Sequence, residues 1–218
     1  VTNYLNIVNE KIGFVPNVLA AFAKFPKQFE GFTKLYNSLM LGESGLTKLE
    51  REMIAVTVSS ENHCFYCLVA HGSAVRELSN DPQLGERIAA NFRSAELPKK
   101  QFELLNFTKK LTRDPSEITE TDRKKLRDVG YTDRDIWDMS AIIGLFNMTN
   151  RLASATEMEP LTLTILCSHL EHFACWEYDA RRPDNNQNPE IRDLKYNPLW
   201  FPHKILHFRK CSNCFLQY

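Results

Sequence analysis

Neither sign of charge is in surplus: 27 Lys and Arg balance 27 Asp and Glu over 218 residues. A dedicated nucleic-acid binder normally carries a basic excess, so no nucleic-acid partner is expected. No apolar run approaches the roughly 20 residues that a bilayer-spanning helix needs, and no membrane partner is expected either. Nothing resembles a glycine-rich loop that could cradle a dinucleotide. No stretch alternates polar and apolar residues as a half-buried strand does, and there is no internal repeat or low-complexity tract. Glycine is scarce, and all eight (Gly13, Gly31, Gly42, Gly45, Gly72, Gly85, Gly130, Gly144) precede residue 161. Residues 161–218 have none, yet hold four of the six Cys, four of the six His and four of the ten Pro. The run Arg181 to Pro189 is too polar and too interrupted by proline to hold a regular element. This shift places a boundary near Pro160: one domain over 1–160 and an irregular C-terminal extension over 161–218.

Before that boundary the pattern is helical, and an all-α fold is expected. Helices are predicted over 17–25 and 26–41, the second with a stripe of Phe29, Phe32, Leu35, Tyr36, Leu39 and Met40 facing the core. Thr47-Lys48-Leu49-Glu50 is a capping box that starts a helix running to about Ser60. A break at Glu61-Asn62-His63 precedes a helix from Cys64 to about Leu78, with His63 outside it and exposed. Pro98 opens a helix to about Thr112. A short helix over 119–128 ends at Gly130 in a left-handed cap. Thr132 caps a long helix to about Ala155, with Ile136, Met139, Ile142, Ile143, Phe146 and Leu152 inward.

The chemistry concentrates in Cys64-Phe65-Tyr66-Cys67-Leu68-Val69-Ala70-His71. On a helix, positions 64, 67 and 71 share one face. Cα atoms three apart lie about 5 Å from each other, within the range a disulfide can bridge. Cys64 falls in the first turn, where free amides and the helix dipole favour a thiolate. His71 can accept a thiol proton or pair with the anion. Glu52, on the preceding helix, can point back across a hairpin and hold one imidazole tautomer. Two thiols, a base and an orienting carboxylate therefore lie within twenty residues. The inert alternative is a pair of buried thiols packing as small hydrophobes. A structural zinc site on Cys64, Cys67 and His71 would need a fourth ligand. The second pair, Cys211 and Cys214, lies far beyond the spacing of common zinc modules.

Glu52, the Cys64-x-x-Cys67 pair and His71 together resemble the signature of the alkylhydroperoxidase D family, related to carboxymuconolactone decarboxylases. Gly13-Phe14-Val15-Pro16-Asn17, Glu52-Met53-Ile54-Ala55, Ala70-His71-Gly72 and Asn147-Met148-Thr149-Asn150-Arg151-Leu152-Ala153 extend the likeness over residues 1 to 160, within the family's peroxidase-related branch. The resemblance implies an all-helical domain that assembles as trimers or hexamers. It also implies a thiol peroxidase. Cys67 is then the nucleophile that attacks a hydroperoxide and becomes a sulfenic acid. Cys64 donates the proton and closes the disulfide, and His71 and Glu52 complete the relay. An external dithiol, protein or small molecule, must reduce that bond. No metal, flavin or haem is needed. The family's best-studied members carry a second His before the nucleophile, where this chain has Tyr66.

Bringing the Cys67 thiol from about 8.5 to about 7 takes about 2 kcal/mol of thiolate stabilisation, and ionisation near neutrality is expected at Cys67. Two other functions fit the same scaffold. One is an enzyme acting on small acids or lactones, with Phe14, Phe29, Tyr36, Phe65 and Tyr66 around its pocket. The other is a non-enzymatic oligomeric module with structural cysteines. A cytoplasmic location is expected, with a targeting segment ahead of Val1 left open, and Cys211 and Cys214 are read as part of a passive extension.

Overall fold

The computed structural model describes residues 1–160, and among these every regular element is helical. In chain order they are α1 (Thr2–Ile12), α2 (Asn17–Ala23), α3 (Pro26–Tyr36), α4 (Lys48–Glu61), α5 (Phe65–Ser79), α6 (Leu84–Asn91), α7 (Lys99–Arg113), α8 (Glu120–Asp128) and α9 (Asp133–Ala155). The expectations that concern residues 161–218, Cys211 and Cys214 included, lie outside the described residues.

The central element is α4, which packs against α5, α6, α7 and α9. Its capping box is formed as the sequence implies: Glu50 N–H donates to Thr47 Oγ1 at 3.1 Å, and Thr47 N–H donates to Glu50 Oε2 at 2.8 Å. The other carboxylate oxygen of Glu50 accepts from the Tyr131 hydroxyl at 2.6 Å, so the cap also ties α4 to the turn before α9. Met53, Ile54, Ala55, Val56 and Val58 are fully shielded from solvent. A helix apolar around its whole circumference belongs in the middle of a domain. From residue 51 to residue 59 only Glu52 is not buried.

A tight reversal follows. Asn62 N–H closes onto Val58 O, and His63 takes a left-handed conformation at φ 53°, a region in which His is better tolerated than most residues. His63 is exposed, as expected. The reversal lays α5 antiparallel along α4. Gly85 lets α6 reach α5 closely, because a Cβ there would stand 2.6 Å from the Gly72 carbonyl oxygen. Gly130, at φ 94°, supplies the left-handed stop after α8.

Several expectations need correction. The 26–41 helix is α-helical only to Tyr36; Asn37–Leu41 winds as a π-helical turn. Leu35 is 47% exposed, because the buried arc of α3 runs through Phe29, Phe32 and Thr33. Leu35 sits about 120° around the axis from Phe29. Leu152 is likewise exposed on α9. Pro98 is the residue before α7 rather than its first turn, with ψ at 145°. The α1 and α6 helices carry no separate expectation in the sequence. No described helix is long and apolar enough to cross a membrane.

Candidate active site

Cys64 occupies the N-cap position of α5 with extended backbone, and Cys67 lies one turn in. Both thiols are free and both residues are buried. They pack with Tyr66 and Ala153, beneath Val18 and Met158. One turn beyond Cys67, His71 Nδ1 meets Glu52 Oε2 at 2.6 Å, each side chain only 15% exposed. The hairpin therefore does what the spacing implies: the single solvent-reaching residue in the middle of α4 meets the imidazole of α5. Phe146 of α9 stands edge-on to the His71 ring, centroids 4.6 Å apart, and fixes its plane.

These groups face a cavity of about 300 Å³. Cys67, His71, Glu52 and Tyr66 line it, together with Val8 and Ile12 of α1, Leu19 of α2, Phe32, and Met40 and Leu41 of the π turn. Cys64 does not line it. Only one of the two sulfur-bearing residues thus opens on the space a small molecule would fill. Of the residues expected around a pocket, Phe14, Tyr36 and Tyr66 line it. Phe29 is instead buried in the core and Phe65 is 57% exposed. The Tyr66 hydroxyl accepts the Val18 N–H at 3.1 Å, fastening the first turn of α2 over the site. Burial raises its pKa, so the phenol stays neutral.

The sulfurs divide one proton unequally. The Cys67 thiol donates to Cys64 and brings the Cys64 pKa down to about 6, against an opposing effect of burial. The Cys67 N–H, the Ser154 hydroxyl and the His71 ring help in the same direction. Cys67, holding that proton and buried beside the anion, is pushed up. This differs from the expectation that Cys67 ionises near neutrality: of the two thiols, Cys64 is drawn down and Cys67 is pushed up. The largest cause is the hydrogen bond from the Cys67 side chain, and the single first-turn amide of Cys67 adds to it.

Sequence reasoning missed the polar groups around the thiols. Ser59 and Asn150 contact the Cys67 sulfur, and Ser154 contacts Cys64. Their spacing was a usable signal: Ser59 lies two turns beyond Glu52 on α4, and Asn147, Asn150 and Ser154 share one face of α9. Among the described residues no group of three or more His, Cys, Asp or Glu side chains is disposed to hold a metal ion.

Over the described residues, fold and site define an all-helical domain with a paired-cysteine centre beside an apolar cavity. Residues 26–100 match the carboxymuconolactone decarboxylase family. A peroxidase-related protein from Silicibacter sp. TM1040 is 57% identical with a TM-score of 0.74, the match covering 75% of this chain and 86% of that one. A peroxidase-related protein from Ralstonia eutropha JMP134, described as an alkylhydroperoxidase AhpD core, is 38% identical with a TM-score of 0.74, covering 76% of this chain and 87% of that one. The debrominase Bmp8, solved with 2,3,4-tribromopyrrole, shares the fold at 16% identity and a TM-score of 0.64, over 75% of this chain and 86% of that one. No curated protein matches the chain. The chain belongs to the carboxymuconolactone decarboxylase family, among its alkylhydroperoxidase-D-like, peroxidase-related members.

Proposed function

We propose that this protein reduces hydroperoxides through a dithiol–disulfide cycle on Cys67 and Cys64, with electrons from an external dithiol. The observation that carries the reading is that Cys67 opens on an apolar cavity while hydrogen-bonded to Cys64, beside the His71–Glu52 pair. The resting pair carries one negative charge. As a hydroperoxide enters, the proton passes from Cys67 to Cys64, and the Cys67 thiolate attacks the terminal peroxide oxygen. The O–O bond breaks, leaving a sulfenic acid on Cys67 and an alkoxide. Cys64 protonates the alkoxide to the alcohol. The Cys64 thiolate then displaces hydroxide from the sulfenic sulfur and closes the disulfide. A proton delivered through His71 converts the hydroxide to water. Two electrons leave the thiols, and an external dithiol restores them by exchange.

Glu52 has a positioning part. Its oxygen on Nδ1 holds the ring so that the opposite nitrogen is free to take and give protons. Tyr66 stands where the second His is found in the family's best-studied members, and it anchors α2 instead of moving protons. The relay therefore runs on one imidazole.

The test is consumption of an organic hydroperoxide by the reduced protein in the presence of a small dithiol. Cys67→Ser and Cys64→Ser are both expected to lose multiple turnover. Wild-type rates in both variants overturn the proposal. Turnover of small acids or lactones that survives removal of both thiols would assign the cavity to carboxymuconolactone-type chemistry instead.

A further inference from the structure

A chain of amides runs from the surface of α9 to the buried sulfur of Cys67, and every link in it has a fixed direction. Arg151 Nη1 donates to Asn147 Oδ1 at 2.9 Å. The Asn62 amide donates to Asn147 Oδ1 at 3.1 Å and to Asn150 Oδ1 at 3.0 Å. With its oxygen so occupied, Asn150 presents its NH2 group inward, where it donates to Ser59 Oγ at 3.1 Å. Ser59, accepting that bond, has its own proton left to give. Both side chains lie against the Cys67 sulfur, and both residues are at most 1% exposed. Neither lines the cavity.

Two donors suit a sulfur anion, and burial makes each of them count for more than it would in water. They have no use for the thiol of the resting pair, whose proton is directed at Cys64. The negative charge thus has two seats. One is at Cys64, supported by the first-turn amide and Ser154. The other is at Cys67, supported by Ser59 and Asn150.

We propose that Ser59 and Asn150 form a donor site for the anionic Cys67 sulfur, drawing the shared proton across to Cys64 when Cys67 attacks and again when it leaves the disulfide on reduction. The step moves one proton and no electrons: Cys67 S–H and Cys64 S⁻ become Cys67 S⁻ and Cys64 S–H. The inference rests on the dithiol reading of the site, but its test concerns ionisation alone. It also gives the Asn147-to-Ala153 segment a chemical part in place of a purely architectural one.

The experiment uses the full reduced chain, labelled briefly with iodoacetamide at neutral pH. The ratio of modified Cys67 to modified Cys64 is read by peptide mass spectrometry. Ser59→Ala removes a hydroxyl with little change in volume and is expected to cut the Cys67 share about tenfold, the factor of one hydrogen bond to a charged group. The Cys64 rate should hold or rise. Asn150→Ala should move the ratio in the same direction; if its loss loosens the α4–α9 contact so that the variant does not fold, Ser59→Ala decides alone. An unchanged ratio in Ser59→Ala, or an equal change at both thiols, overturns the proposal. Peroxide turnover measured alongside separates the two claims. A shifted ratio in a protein that consumes no peroxide leaves this inference standing and removes the peroxidase reading, and an unshifted ratio in an active peroxidase does the reverse.

Discussion

Replacing Cys67 by Ala removes the donor that contributes most to the acidity of Cys64, and the size of the response follows from the geometry. The Cys64 thiol is drawn from 9.0 to about 6, a preference for thiolate of about 4 kcal/mol at 1.36 kcal/mol per unit. A hydrogen bond to a charged group contributes about 1.5–3 kcal/mol, so its loss should carry the midpoint up by about 1–2 units. The amide of residue 67, Ser154 and His71 remain, which keeps the variant below an ordinary cysteine. Because four further cysteines lie in 161–218, the measurement must be resolved by residue. Iodoacetamide labelling of the peptide that holds Cys64, followed across pH, gives the titration directly. A wild-type midpoint near the ordinary cysteine value of about 8.5, or one that does not move in Cys67→Ala, would refute the charge distribution described above. The same shift governs stability. A group whose folded pKa is depressed adds stability that is complete above its unfolded value and is lost as pH falls through its folded one. The melting temperature should therefore climb between about pH 6 and pH 9. Cys67, whose pKa is raised, acts with the opposite sign above that range and ends the climb.

Two other substitutions probe separate parts of the construction. Glu52→Gln keeps the shape but removes the charge facing His71 Nδ1, and peroxide turnover should fall about tenfold to a hundredfold for the loss of one charge-assisted bond; an unaltered rate with intact helicity would mean that the carboxylate is idle. Glu50→Ala removes one arm of the α4 cap and the buried partner of Tyr131, so urea unfolding should report a loss of about 2–4 kcal/mol, summing a helix cap and an orphaned hydroxyl.

The four residues singled out from spacing (Glu52, Cys64, Cys67, His71) were legible because their relations are local. Cys67 and His71 lie one turn apart on α5, Cys64 caps that helix, and Glu52 lies across a three-residue reversal. The capping box of Thr47 and Glu50 and the stop at Gly130 were readable for the same reason. What escaped depends on distant chain. Ser59, Asn150 and Ser154 reach the two sulfurs only because α4 and α9 bring them there. The α1 helix has no buried residue; its apolar side faces the cavity, so its sequence shows no core stripe to recognise. Leu35 and Leu152 satisfied the periodicity but lie at the margin of the buried arc, where a pattern of spacing does not distinguish an edge from a centre.

The π-helical turn at Asn37–Leu41 has a consequence for how this fold varies. Its widened winding accommodates residues beyond what a regular α-helix would hold over the same rise, and Asn37, Met40 and Leu41 reach the cavity from it. Deleting one residue there would return this stretch to the 3.6-residue repeat, changing which of its side chains face the wall while the chain after it keeps its place. Arg51, which donates to the Leu39 carbonyl at 3.2 Å, clamps the chain in its present winding. The outline of the chamber beside Cys67 is thus open to change by indel as well as by substitution, and a single-residue gap at this point could reshape what fits inside while the reacting sulfur stays where it is.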